Sequence, residues 1–267
     1  MLKTRFLVAV VALPLLVAVI LVGGWLFALV VLAALLLGGL EYVQLLRQGQ
    51  YQPPLALALA LIALAWGAVW FEHPDWLTPG LALLLIAGMF YAIWEREHTR
   101  SHPIVNTALA AFGGVYIGWL GSHLLAVRLL DDGAFLTLFL YGLVITTDTA
   151  AYFAGRTWGK HKLSPLTSPK KTWEGYAASV LSGPLVGALG ALLPGHDTLT
   201  VLHGALLGLL IGILGTVGDL AMSAVKREVG AKDSSHLIPG HGGILDRTDS
   251  VLVAAVIGYY YITWFIR

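Results

Sequence analysis

Residues 218–249 read GDLAMSAVKREVGAKDSSHLIPGHGGILDRTD, a charged stretch that joins two apolar runs, 200–222 and 248–266. Asp219, Lys226, Arg227, Lys232, Asp233, Asp246, Arg247 and Asp249 all fall within it, although only 12% of the chain is charged. Two apolar runs of this length with so polar a link predict a pair of bilayer-crossing helices that carry a site at one mouth. Mixed signs, repeated glycines and a histidine suit metal and phosphate better than they suit a plain connector.

The rest of the chain has the same character. Of its 267 residues 58% are hydrophobic, and the mean hydropathy is +0.80, well beyond a soluble domain. There is no cysteine, which excludes disulfides, zinc–thiolate sites, iron–sulfur clusters and a cysteine nucleophile. The formal net charge of +1 says little about partners, and no nucleic acid is expected. The opening MLKTRFLVAVVALPLLVAVILVGG has the look of a signal peptide. Its long apolar run, the lack of an A-x-A cleavage signal and the spans that follow make it a first transmembrane helix instead.

Nine apolar runs are candidate spans: 5–22, 25–40, 55–71, 79–94, 104–124, 134–154, 174–193, 200–222 and 248–266. Gly24 at the entrance of the second predicts a tight hairpin with the first. With the N-terminus inside, 14 of the 16 Lys and Arg residues fall on the inner face, leaving only Arg128 and Arg267 outside. The inner loops 155–173 and 223–247 hold nine of the 16 Lys and Arg residues, whereas the outer connections are short turns. Glu95, Arg96 and Glu97 read as a solvated inner loop. The tryptophans gather near span ends, as in an aromatic belt. His73, His98, His102, His123, His196 and His203 show no ligand spacing.

The expected fold is therefore all-α: a polytopic membrane protein of about nine transmembrane helices, N-terminus cytoplasmic, with its site at the cytoplasmic ends of the C-terminal helices. Residues 1–103 form spans 1–4, and residues 104–267 form the catalytic region with loops 155–173 and 223–247.

On a helix, Asp219, Ser223, Lys226 and Arg227 share one face. A carboxylate in a span costs about 3 kcal/mol, which marks Asp219 as functional or as half of an ion pair. Asp246 and Asp249 face one way at the start of the last span, where an acid also caps a helix. Magnesium takes one or two carboxylates and completes its shell with water and substrate phosphates. Asp219, Asp246 and Asp249 suit that role, provided the last two spans pack together. In IPGHGGILDR, Gly240, Gly242 and Gly243 allow positive φ and an anion nest near His241. The other loop, GRTWGKHKLSPLTSPKKTWEG, lacks Walker spacing and is no P-loop. Its basic residues suit lipid headgroups, while Lys162, Ser168, Lys170, Lys171 and Thr172 also suit a triphosphate. Asp148 and Tyr152 lie one turn apart nearby, either supporting the site or forming part of an internal ion pair with Arg156.

Together these blocks resemble the phosphatidate cytidylyltransferases (CDP-diacylglycerol synthases). The residues that carry the resemblance are Ser223-x-x-Lys226-Arg227, Lys232-Asp233, and Pro239-x-His241-Gly242-Gly243-x-x-Asp246-Arg247-x-Asp249, with Asp148 to Gly175 as a second block. The pattern covers 27 consecutive residues without a departure. The resemblance implies a magnesium-dependent enzyme of a bacterial inner membrane, working as a homodimer, that converts CTP and phosphatidate to CDP-diacylglycerol and pyrophosphate. Catalysis would fall to Asp219, Lys226, Arg227, Asp246 and Asp249. Ser223, Lys232, Asp233, His241, Gly242, Gly243 and Arg247 would bind substrate together with the residues of the second block. Rival readings are a CTP-dependent lipid-alcohol kinase and an ion-coupled transporter.

Overall fold

A computed structural model describes residues 2–99, 102–235, 237 and 242–267, with side chains from residue 10 onward. His241, Gly240 and Pro239 lie outside the described residues. The described chain is almost entirely helical: α1 (Leu2–Val22), α2 (Gly24–Gln48), α3 (Leu55–Trp70), α4 (Leu77–His98), α5 (Pro103–Leu129), α6 (Gly133–Trp158), α7 (Trp173–Gly190), α8 (Val201–Glu228) and α9 (Leu245–Phe265). Between α6 and α7, where a loop was expected, strands β1 (Lys162–Ser164) and β2 (Ser168–Thr172) pair as a small antiparallel hairpin.

Every candidate span falls on a helix, but helicity alone does not make a span. Among the described residues, five helical segments can cross a membrane by length and composition: Gly24–Gln48, Pro74–His98, Pro103–Leu129, Gly133–Trp158 and Val201–Glu228. Apolar α3 and the Val10–Val22 part of α1 are shorter. Glycine, serine and proline dilute α7, and tyrosines and charges dilute α9. The exposed face of α4 fits a lipid environment, since Leu83, Met89, Phe90 and Ile93 are all more than 60% exposed. This is a membrane protein.

The chain divides into two compact units. The first takes residues 1–126 and 225–247. Gly23 and Gly24, with φ of 67° and 53°, make the tight turn between α1 and α2. Phe27, Val31, Leu35, Tyr42, Leu45 and Leu46 form the buried stripe of α2. The indole of Trp66 on α3 donates to the Ala28 carbonyl (2.9 Å), tying α3 to α2. Tyr42 donates to the Leu109 carbonyl of α5 (3.2 Å), and its ring fills the space where Gly113 has no side chain. Glu95 is not solvated: it lies in the last turns of α4, 5% exposed, and accepts from the Asn106 amide (3.4 Å). The helix runs on to His98, so the residue faces protein there rather than water.

The second unit takes residues 127–224 and 248–267. There α7 and α8 approach so closely that side chains are excluded. A Cβ on Gly183 or Gly187 would strike the backbone carbonyl of Gly208 or Gly204. Small residues at such crossings let apolar helices gain contact in a membrane, where no hydrophobic drive holds them together. Ser179 adds a hydrogen bond from its hydroxyl to the Gly212 carbonyl (3.2 Å). Farther along α8, Gly218 packs against the Asp249 backbone of α9.

Candidate active site

In the second unit, α6, the hairpin, α7 and α8 wall a pocket of about 550 Å³. Its lining includes Asp148, Tyr152, Arg156, Lys162, Lys170, Lys171, Thr172, Tyr176, Thr216 and Asp219. Seven of the residues singled out from the sequence are thus gathered, although they come from three elements. Asp148, Tyr152 and Arg156 recur at i, i+4 and i+8 along α6, so they share a face. The hairpin presents Lys162, Lys170 and Lys171 toward the same space. Thr172 then opens α7, its hydroxyl accepting from the Gly175 amide (3.2 Å) as a helix cap.

Four cations face two carboxylates around this pocket, so it favours an anion. Lys171 pairs with Asp219 Oδ2 at 2.8 Å, and Asp219 Oδ1 accepts from the Ser223 hydroxyl at 3.1 Å. The side chain of Asp219 is 38% exposed, so a ligand can reach the carboxylate. Arg156 donates to the Tyr152 hydroxyl (3.1 Å). At the hairpin's base, His161 Nδ1 lies 2.6 Å from Glu174 Oε1, and the Trp173 amide donates to the His161 carbonyl (2.9 Å). Asp249, 6% exposed, belongs to the same unit, its backbone against Gly218, the residue preceding Asp219.

A second cluster lies in the first unit. Lys226, on the last turn of α8, donates to Asp246 Oδ1 at 2.6 Å, with side-chain exposures of 10% and 7%. Asp246 Oδ2 accepts from the Ser234 amide (2.7 Å), the Ser234 hydroxyl (2.9 Å) and the Gly243 amide (3.0 Å). Burial opposes ionisation of this carboxyl, but Lys226 and the two amides outweigh it and bring Asp246 below the usual carboxylate range. Gly242 takes the positive φ (84°) expected of this turn, and a Cβ on it would crowd the Asp246 carboxylate. Lys232, Asp233 and Arg247 are exposed. Arg227 donates to the Ala231 carbonyl (2.8 Å), turning toward its own loop. Ser168 belongs to β2 but does not line the pocket.

The sequence reading missed three side chains of this second cluster: Ser234 and Ser235 of the loop, and Glu41 of α2, which is 4% exposed. Its Oε1 accepts from the Ser235 hydroxyl (2.7 Å) and the Ile244 amide (2.9 Å). Its Oε2 accepts from the Ser234 hydroxyl (3.0 Å) and the Leu245 amide (2.9 Å). A lone acid after the apolar run LLLGGL was the available signal, but ending the second span at residue 40 put Glu41 outside it. Tyr176 joins the first pocket unassigned beforehand, and Arg156, weighed only as an ion-pair partner beside Asp148 and Tyr152, lines it too.

Among the described residues, no three His, Asp or Glu side chains come together to enclose a metal. Magnesium does not require that, since one or two carboxylates and the oxygens of a bound phosphate suffice. Asp219 provides a hard oxygen donor on an anion-attracting wall, with a lysine ammonium already at Oδ2 where positive charge is favoured. The donor chemistry fits.

Comparison with known proteins gives a consistent result. The profile of the cytidylyltransferase family matches residues 3–265. A phosphatidate cytidylyltransferase of Synechocystis is 33% identical over 97% of this chain and 95% of its own. One of Mycobacterium leprae is 31% identical over 97% of this chain and 88% of its own. One of Brucella suis is 45% identical over a shorter stretch, 57% of this chain and 56% of that one.

Proposed function

The chain belongs to the cytidylyltransferase family and is a nucleotidyltransferase; from that premise we propose that it is a phosphatidate cytidylyltransferase of a bacterial inner membrane. CTP and phosphatidate would give CDP-diacylglycerol and pyrophosphate. The observation that carries this reading is the pocket in which Arg156, Lys162, Lys170 and Lys171 surround Asp148 and Asp219. At about 550 Å³ it has the size of a small-ligand site, and its excess of cations suits a triphosphate.

The reaction joins two anions. A phosphate monoester oxygen of the lipid attacks the α-phosphorus of CTP, forming a new P–O bond as the bond to the pyrophosphate oxygen breaks. The nucleophile is ionised near neutral pH, so no strong base is required. The obstacle is repulsion, and fixed cations are the remedy. Lys162, Lys170 and Lys171 on the hairpin would hold the triphosphate, with Arg156 beside them. Lys171 would exchange its bond with Asp219 for a phosphate oxygen. Asp219, with Asp249 on the adjoining helix, would hold magnesium in this unit, while Asp246 would hold Lys226 in the other. Bound magnesium would add charge neutralisation at the phosphate oxygens. Lys226, its position set by Asp246, would be a cation that the first unit offers to an anion.

The test is purified protein in lipid nanodiscs supplied with CTP, phosphatidate and magnesium. CDP-diacylglycerol and pyrophosphate are expected in equal amounts. Release of CDP with a phosphorylated lipid would instead identify a CTP-dependent kinase and overturn the proposal.

A further inference from the structure

We infer that Glu41, on an N-terminal helix with no other group of the site, is a positioning residue that holds the Lys226–Asp246 pair through Ser234. The inference rests on the cytidylyltransferase reading of that pair. Three observations carry it.

First, Glu41 is buried without a cation among its hydrogen-bond donors, yet each of its oxygens takes one hydroxyl and one backbone amide. The two amides, Ile244 just before α9 and Leu245 at its first residue, lie where the positive end of the helix dipole favours an anion. Secondly, the Ser234 hydroxyl stands 3.0 Å from Glu41 Oε2 and 2.9 Å from Asp246 Oδ2. One hydroxyl proton thus serves two carboxylates, so a change at Glu41 is felt at Asp246 and, through Oδ1, at Lys226. Thirdly, the mount is rigid. Tyr42, the next residue, is 1% exposed and hydrogen-bonded to α5. Gly243 leaves no room for a side chain, because a Cβ there would strike both the Ser234 hydroxyl and Glu41 Oε2.

Glu41→Gln separates a positioning residue from a passive anchor. The amide keeps the shape but offers one acceptor where two stood. The serine hydroxyls can rotate to accept from the new NH₂, whereas the Ile244 and Leu245 amides cannot, so one of them is left without an acceptor. We expect hydrogen exchange at Ile244, Leu245 and Ser234 to speed up about tenfold to a hundredfold. Amides around Tyr42 should keep their protection. Turnover should fall by a similar factor, with the KM for CTP within about threefold of wild type. Ser234→Ala, which cuts the link to Asp246 but leaves Glu41 in place, should reproduce most of the loss, and the double variant should add little to it. Ser235→Ala, which removes a donor without a path to Asp246, should cost less than about threefold.

Exchange unchanged in Glu41→Gln would overturn the inference, as would additive losses in the double variant or equal losses from Ser234→Ala and Ser235→Ala. Should Glu41→Gln not fold, the two serine variants decide the matter. Wild-type protein that makes no CDP-diacylglycerol would count against the proposed function alone, since the exchange measurement needs no substrate.

Discussion

Asp246→Asn is the substitution whose outcome the geometry constrains most tightly. The carboxylate accepts from Lys226 at 2.6 Å on one oxygen and from three donors of Ser234 and Gly243 on the other. Both members of the ion pair are buried, with side-chain exposures of 10% and 7%. Asparagine must turn its NH₂ toward one side or the other. Facing Lys226, it leaves a buried ammonium with no counter-charge, a loss of about 3–5 kcal/mol. Facing the loop, it sets a donor against two fixed amides, at about 1–3 kcal/mol each, and still removes the charge opposite Lys226. Either way the loop loses about 3 kcal/mol of local stability, roughly a hundredfold in its opening equilibrium. Lys226→Met should cost less, because Asp246 keeps three donors.

The assay is native-state hydrogen exchange at the Ser234 and Gly243 amides, without nucleotide or magnesium, alongside turnover across a magnesium titration. Exchange about a hundredfold faster is expected, with turnover down at least as far. Added magnesium should not restore it, because in either orientation Lys226 loses its counter-charge, which a second cation cannot supply. Full recovery of turnover at high magnesium, with exchange at wild-type levels, would refute the reasoning. Asp246 would then act through the metal alone.

Three other expectations can be checked with simpler measurements. Lys171→Met should raise the KM for CTP by about tenfold or more, since a charge-assisted phosphate contact is worth more than about 1 kcal/mol. The melting temperature should scarcely change, because the pair with Asp219 is partly solvated. Gly187→Leu should abolish activity and lower stability by about 1–3 kcal/mol or more in a thermal melt, since the Gly204 carbonyl it would strike is backbone and cannot rotate away. Asp132, in the short turn between α5 and α6, is held below the ordinary carboxylate range by the Thr198 hydroxyl and the Asp197 amide. A carboxyl with a depressed folded value contributes stability above its unfolded value, about 3.9, that is lost as the pH falls through the folded one. Wild type should therefore lose melting temperature below about pH 4 more steeply than Asp132→Asn.

Much of this could be anticipated from the letters, for reasons that also explain the gaps. Apolar runs report helices because each backbone must satisfy its own hydrogen bonds in lipid, so all nine candidate spans fell on helices. The number that cross is harder to read, since α7 trades hydropathy for the glycines that let α8 approach. Asp219, Lys170 and Lys171 were legible because charge in an apolar chain is costly and needs a reason. The hairpin was not: strands of three and five residues carry too little alternation to register. Glu41 was hidden for a different reason. A single acid at the edge of an apolar run is indistinguishable from the first polar residue of a loop until its partners are known, and Ser234, Ser235, Ile244 and Leu245 lie some two hundred residues away. The compact units are likewise discontinuous in sequence, so no composition shift marks the cuts near residues 126, 224 and 247. What local pattern conveys is the residue that must be explained. What it cannot convey is the long-range partner that does the explaining, and Glu41 is where these two limits meet: a removal there should weaken a lysine 185 positions along the chain, which only the folded arrangement could have indicated.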